Sequence, residues 1–489
     1  MKQLYPVQLL FLLSSIFLAG CSHSSHREKI VLQVDTVSLL RNPCMGWGVY
    51  DDASNEVQNA DIYWAAQDKA ARQYASFFYV RWRWSDMEPE EGKYAWLYNE
   101  NYKKLIKGAL DRGLKLCFRI YDNGQDNLRA GTPEYVRRAG AKGYTVKGSN
   151  GDHWTPYPDD PVFQQKLEKF VVAFAKEYDN PDIVDFVDGY SLGWWGECHH
   201  VVLQDQSKFE QVFDWFTTMY SEHFKHVIPL LPFGSQIGFD TEKRIAIDQK
   251  GYGMRRDGLG SMWFSDEERR IVADMYGKTL FVGESCWWGS CSDDCTPFAS
   301  DTRYKLKTWR DVYELTLQHA IEGHFNTLDL RELPETQGWT ERAQDLVQRF
   351  IVEGGYRIYP SNITLPTQAA PHSTDSIFHE WKNTGNGYLP NNVKNWNYKY
   401  KPAFALFDTQ GKLVKVWADS IAEPSDWLHD TVHSYTLPIS FAELPKGTYQ
   451  WAVAIIDRTK EMKPGIKLAV KDKQEQDGWT LLETTIRID

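Results

Sequence analysis

Basic runs are missing from this sequence. Its 489 residues carry 55 Lys and Arg against 66 Asp and Glu, a formal net charge of −11. Nowhere do the cations gather into the dense face that nucleic-acid binders need, so nucleic acid is not an expected partner. Beyond the first 21 residues no long apolar run occurs, and nothing further along could span a bilayer as a helix. No Gly-rich loop opens a first helix in the manner of a nucleotide-binding turn. The seven cysteines contain no C-x2-C pair, the usual half-site of structural zinc. No segment repeats beyond an alternation of strand and helix patterns. Aromatic residues, by contrast, are plentiful: 20 Trp, 26 Tyr and 24 Phe. Trp and Tyr offer a flat apolar face with a polar rim, which suits sugar rings. A large aromatic core must still account for most of them.

The opening MKQLYPVQLLFLLSSIFLAGC has one Lys and then an apolar run, Val7–Leu18. That run is too short to cross a membrane and right for a signal peptide. Leu18-Ala19-Gly20-Cys21 resembles a bacterial lipoprotein cleavage site. The resemblance implies removal of residues 1–20, lipid attachment at Cys21 and an exported, membrane-anchored protein on the periplasmic or cell-surface side. An ordinary signal peptide is the alternative. Residues 21–40 read as a polar linker and lead-in. Cys44, Cys117, Cys198, Cys286, Cys291 and Cys295 would remain, and outside the cytoplasm disulfides are allowed. The cluster CWWGSCSDDC invites one, with the connectivity open. A metal site from that cluster with His199 and His200 is conceivable, but its C-x4-C-x3-C spacing is not a zinc pattern. No metal or other cofactor is expected.

Between residues 41 and 355, short apolar strands alternate with amphipathic helices such as Asn99–Arg112, Val162–Glu177 and Lys208–Phe224. The fourth strand reads as Ile183–Leu192 and the sixth as Gly251–Met254. Eight such βα units point to a (β/α)8 TIM barrel with long loops, a doubly wound sheet being the alternative. From residue 356 to 489 helical periodicity gives way to short alternating strands with Gly and Asn turns, the pattern of a β-sandwich. DTQGK reads as a hairpin turn. The sandwich is expected to brace the barrel; Trp381, Trp396 and Trp427 are its candidate sugar platforms otherwise.

In a barrel the strand C-termini and the loops after them build the active site. Two strand ends offer Gly followed by Glu: Gly196-Glu197 in DFVDGYSLGWWGECHH, and Gly283-Glu284 in LFVGESCWWG. Their separation is about three βα units, which puts them across the barrel mouth on strands four and seven. Glycosidic cleavage needs two carboxylates on either side of the scissile bond, one to protonate the leaving oxygen and one to meet the oxocarbenium charge.

With that placement the chain resembles the clan A retaining glycoside hydrolases, which carry an acid/base Glu after strand four and a nucleophilic Glu after strand seven. The segment RWRWSDMEPEEGKYAW is similar to the W-x-x-x-E-P-x-x-G-x-Y-x-W stretch after strand two of several members, matching at Trp84, Glu88, Pro89, Gly92, Tyr94 and Trp96. RNPCMGWG, GWWGECHH, YGMRRDGLG and HEWKNTGNGYLP together look like a group of bacterial barrel-plus-sandwich lipoproteins. The resemblance implies a retaining mechanism with Glu197 as acid/base and Glu284 as nucleophile. It departs from the clan at one point: Gly196 stands where an Asn normally binds the sugar 2-hydroxyl.

Candidate substrate-binding residues are Arg81, Trp82, Trp84, Asp122, Asn123, Trp194, Trp195, His199, His200, Arg255, Asp257, Trp287 and Trp288. Each has a plainer explanation. Trp194 and Trp195 serve equally as core, and His199 and His200 as loop residues. Arg81, Arg83, Arg255 and Arg256 would neutralise the carboxylates in a closed ion network. Arg81 and Arg83 alternate with Trp82 and Trp84, so only one pair faces the cleft. The reading is a lipid-anchored glycoside hydrolase acting on a poly- or oligosaccharide; a glycan-binding protein on a silent barrel is the alternative.

Overall fold

Alternation along eight short strands sets the centre of the molecule. In a strand, neighbouring side chains point to opposite faces. Along Ala75–Arg83 this sends Phe78, Val80 and Trp82 into one apolar cluster and Phe77 and Tyr79 into another. The computed structural model describes residues 26–51, 57–124, 129–234, 237–286 and 306–489. Its eight parallel strands are Gly46–Tyr50, Ala75–Arg83, Lys115–Tyr121, Val184–Asp188, Ile228–Pro232, Gly253–Leu259, Phe281–Ser285 and Thr327–Arg331. They pair in that order, and the eighth returns to the first to close the barrel.

Helices cover the outside. Ala60–Gln73 begins at Asn59, whose side chain accepts from the Asp61 and Ile62 amides. Pro161–Tyr178 begins at Asp160 with proline in its first turn, and Asp266–Asp274 carries a Ser265–Glu268 capping box. Such caps satisfy amides that the helix itself cannot. Among the described residues no helix is long and apolar enough to cross a membrane.

The barrel interior changes character from floor to mouth. Phe77, Cys117, Phe186, Ile228 and Leu280 lie low, and Tyr79, Leu230 and Val282 lie one layer up. At the strand ends the buried residues become Arg81, Arg119, Asp188, Arg255, Glu284, Asp329 and Arg331. The floor cluster continues without a break into Tyr356, Leu389, Trp396 and the core of the C-terminal domain.

That domain holds two sheets. One contains Ile358–Pro366, Thr374–Asn383 and Val432–Ser440; the other is built on Tyr400–Phe407, Gly447–Asp457 and Trp479–Ile488. The DTQGK segment forms the expected hairpin: Asp408 and Lys412 close it, and Gly411 takes φ +77°. Trp381 and Trp427 stack at 4.9 Å, fully buried, and Trp396 is buried at the barrel floor, so none of the three is a surface platform. The lead-in assigned to residues 21–40 also needs correction. Arg27–Val31 is a strand, paired antiparallel with Ile358–Pro366 at the edge of the first sheet. Its residues are half-exposed or exposed throughout, as at a sheet edge.

Candidate active site

The fourth strand ends at Asp188, earlier than the sequence pattern suggests. Residues 189–200 are therefore a loop, and Glu197 is carried on it rather than on the strand. The loop folds back on itself. Trp194 N–H donates to His199 O (2.9 Å), Cys198 N–H to Leu192 O (3.0 Å) and Trp195 N–H to Asn123 O (2.8 Å). Gly193, Trp195, Gly196, Cys198 and His200 all take positive φ. A β-carbon on Gly193 would stand 2.5 Å from His199 O. Left-handed backbone at Trp195 and Cys198 costs energy and gathers where function demands a fixed geometry. Here it aims Glu197 into the mouth.

Glu284 needs no such device. It is the fourth residue of Phe281–Ser285 and faces inward with Val282 by alternation. The two carboxylates meet on one guanidinium. Arg119 Nη1 lies 2.5 Å from Glu197 Oε1, and its Nη2 lies 3.5 Å from Glu284 Oε2. A single planar fork spans both groups, so their nearest oxygens lie within about 8 Å of each other. Arg119 Nε also donates to Asp188 Oδ2 (2.7 Å). Arg255 binds Asp188 and Glu284 Oε2 (3.3 Å), lying over the Tyr79 ring, whose hydroxyl donates to Asp188 (2.6 Å). Arg331 approaches Glu284 Oε1 at 3.5 Å and bonds Glu335 at 2.9 Å.

The electrostatics separate the pair. Burial alone would raise the Glu284 carboxyl, but Arg119, Arg331, Arg255 and Arg81 outweigh it and hold it down at about 2. Burial raises Glu197. Arg119 pulls it back, yet the negative neighbours Asp257 and Glu284 help keep it above the ordinary carboxylate range. Two carboxyl groups driven apart in this way are the pattern of an acid beside a permanent anion.

Around Glu197 the aromatic residues are half-exposed. Trp194 and His200 rings lie 3.8 Å apart, Trp195 meets Trp194 edge-on, and His199 Nε2 is 3.7 Å from Glu197 Oε2. Asp257 sits at the end of the sixth strand, paired to Arg256 and felt by Glu197. That strand runs through Leu259, well beyond the expected Met254. Asp122 and Asn123 are buried behind the loop; their contacts to it are backbone ones, Asp122 N–H to Ser191 O and Asn123 O to Trp195. Burial with no partner for Oδ1 pushes the Asp122 carboxyl up to about 8.

Two expected ligands are not ligands. Trp82 points out of the barrel and packs on Tyr102, because its strand position has the opposite parity to Arg81. Trp84 is fully buried against Phe163, Phe170 and Tyr135, and its N–H donates to Glu88. Trp287, Trp288, Cys291, Cys295 and Cys21 lie outside the described residues. Cys44 and Cys117 are free thiols, Cys198 and Cys286 are buried, and no group of three potential metal ligands occurs among the described residues. Sequence reasoning missed Arg119, Asp188, Tyr79 and Arg331. The available signal was a charged side chain within an otherwise apolar strand, Arg119 in CFRIY and Asp188 in DFVDG.

No protein-family profile and no curated protein matches the sequence. Among solved structures, similar chains include an exo-β-1,4-mannosidase from Opitutaceae bacterium strain TAV5 (13% identity, TM-score 0.41, covering 70% of this chain and 65% of that one). Endo-glycoceramidase II from Rhodococcus sp. is 13% identical at TM-score 0.39, covering 82% and 99%. A GH30 endoxylanase from Clostridium papyrosolvens is 12% identical at TM-score 0.37, covering 84% and 97%. With similarity this low, the fold rests on the closed strand order and the chemistry on the geometry of the site.

Proposed function

We propose that the protein is a glycoside hydrolase that cleaves a poly- or oligosaccharide by a retaining mechanism. The observation that carries this reading is the shared guanidinium of Arg119, which holds two inward carboxylates of opposite protonation tendency in the mouth of the barrel. Glu197, protonated, gives its proton to the glycosidic oxygen as that bond breaks. Glu284, held ionised, attacks the anomeric carbon and forms a glycosyl-enzyme ester. Glu197, now a carboxylate stabilised by Arg119, takes a proton from water, which then displaces Glu284. Trp194 and Trp195 flank the acid as faces for a sugar ring. Retention follows from the resemblance to clan A. The test is a glycan panel with Glu197→Gln and Glu284→Gln. Each is expected to lower kcat by about 10³-fold or more, and the first-formed product, read by NMR, to keep the substrate's anomeric configuration. Unchanged turnover in both variants, or an inverted product, overturns the assignment.

Gly196 favours a second reading, a glycan-binding protein without turnover, since the usual 2-hydroxyl ligand is missing. Binding to the panel with no released sugar would select it. We further propose that the chain is exported and anchored through lipid on Cys21. Labelling with a radioactive fatty acid is expected in the wild type and lost in Cys21→Ser.

A further inference from the structure

Among the arginines of the barrel mouth, Arg81 stands apart. Arg119 meets three carboxylates, Arg255 two and Arg331 three, each within 4.0 Å. Arg81 is as deeply placed, only 8% exposed, yet among the described residues its guanidinium has no hydrogen bond and no ion pair. Only its backbone N–H reaches a side chain, Asp51 Oδ1. Nε is sealed from solvent without an acceptor, and Arg255 Nη2 is in the same condition. Nearby carboxylates favour the charge, but a guanidinium donor sealed from water without an acceptor is costly. Such an arrangement persists where a ligand completes it. The charge of Arg81 is felt by both Glu197 and Glu284, so it belongs to their site. Neither Glu accepts a hydrogen bond from it: both lie on Arg119, and Glu197 must be protonated for half the proposed cycle. A sugar hydroxyl would offer one acceptor to this fork of donors. A planar or tetrahedral oxyanion offers two, and matches the guanidinium geometry.

We propose that the sugar seated against Glu197 and Glu284 carries an acidic substituent, a uronate carboxylate or a sulfate ester, and that Arg81 receives it. This rests on the mouth being a sugar site, and the experiment separates the two. Aryl glucuronides and galacturonides of both anomers are compared with the matching glucosides, galactosides and 6-sulfated galactosides. The expected result is a higher kcat/KM for an acidic member than for its neutral partner. In Arg81→Gln that ratio should fall by about 10–100-fold, the worth of a charged hydrogen bond, with part recovered in Arg81→Lys. Response to uronates only, or to sulfates only, assigns the anion. In parallel, calorimetry measures binding of acidic and neutral oligosaccharides to the wild type and to Arg81→Gln. Acidic glycans bound through Arg81 without hydrolysis would sink the glycosidase reading and keep this one. Neutral glycosides cleaved, with a ratio that Arg81→Gln does not move, would do the reverse. Neither turnover nor binding of acidic sugars above neutral ones overturns the inference.

Discussion

Gly196 carries the departure from the clan's pattern, and its backbone explains it. The residue takes φ +72°, and a β-carbon there would lie 3.1 Å from Tyr121 Cβ and 3.6 Å from the Arg119 stem. A side chain at this position would press on Tyr121, beside the arginine that organises both carboxylates. The division of labour proposed for those carboxylates sets the expected pH response. In that scheme activity requires Glu284 ionised, which holds at every pH well above about 2. It also requires Glu197 protonated, and that fraction is lost as pH rises through its raised value. The expected kcat/KM profile is therefore flat on the acid side down to the limit of stability and falls on the alkaline side. In Glu197→Ala with a dinitrophenyl glycoside, whose leaving group needs no proton, the alkaline fall in the glycosylation step should disappear. A profile controlled only by an acidic limb would contradict the assignment. Both glutamates stood out in the sequence because each follows Gly after an apolar, strand-like run. Arg119 and Asp188 were not, because a charge inside an apolar strand reads as noise until the strand is known to line a barrel.

At the scale of elements, the EPEEG stretch has a clear role. Pro89 and Gly92 mark a turn, as the sequence implies, but Glu88 is neither solvated nor catalytic. One of its carboxylate oxygens accepts from Trp84 Nε1 and Tyr135 OH, the other from the Gly92 amide, and the group is buried. Tyr94 and Trp96 stack nearly parallel at 4.6 Å beside it. The similarity to the clan's second-strand stretch is thus a similarity of brace. It locks the loop after the strand that bears Arg81. Glu88→Ala would leave two buried donors, Trp84 Nε1 and Tyr135 OH, and the Gly92 amide without an acceptor, at a cost of about 3–5 kcal/mol. Urea unfolding should show that loss, with KM for a found substrate changing far less than stability. Strand boundaries were less legible than strand identity. The fourth strand stops at Asp188 because the loop's turns, not its apolar content, take over at Gly189, and no apolar count records a left-handed backbone.

For the whole molecule, the floor of the barrel decides how the domains relate. Asn326 donates to Cys44 O and Tyr388 O, Asn395 to Phe224 O and Val227 O, and Asn392 to Gly277 O. Together with the apolar cluster that runs from Phe77 to Trp451, these bonds make the sandwich the barrel's lower wall. A chain ending at residue 355 should therefore be insoluble or unfolded, and calorimetry of the full chain should show one transition. Two well-separated transitions would contradict this. The order of barrel then sandwich was legible from the switch in hydrophobic period. The first strand was not, because its partner lies more than three hundred residues away in sequence. That pairing also has a kinetic side. Thr367 donates its N–H to His26 O and accepts from the Arg487 amide, so the two extremes of the described chain close on one residue. Ribosomes deliver the N-terminal segment first. Arg27–Val31 must then wait, unpaired, until the whole barrel has emerged. The charged edge residues Arg27, Glu28 and Lys29 guard it during that interval against pairing with another copy.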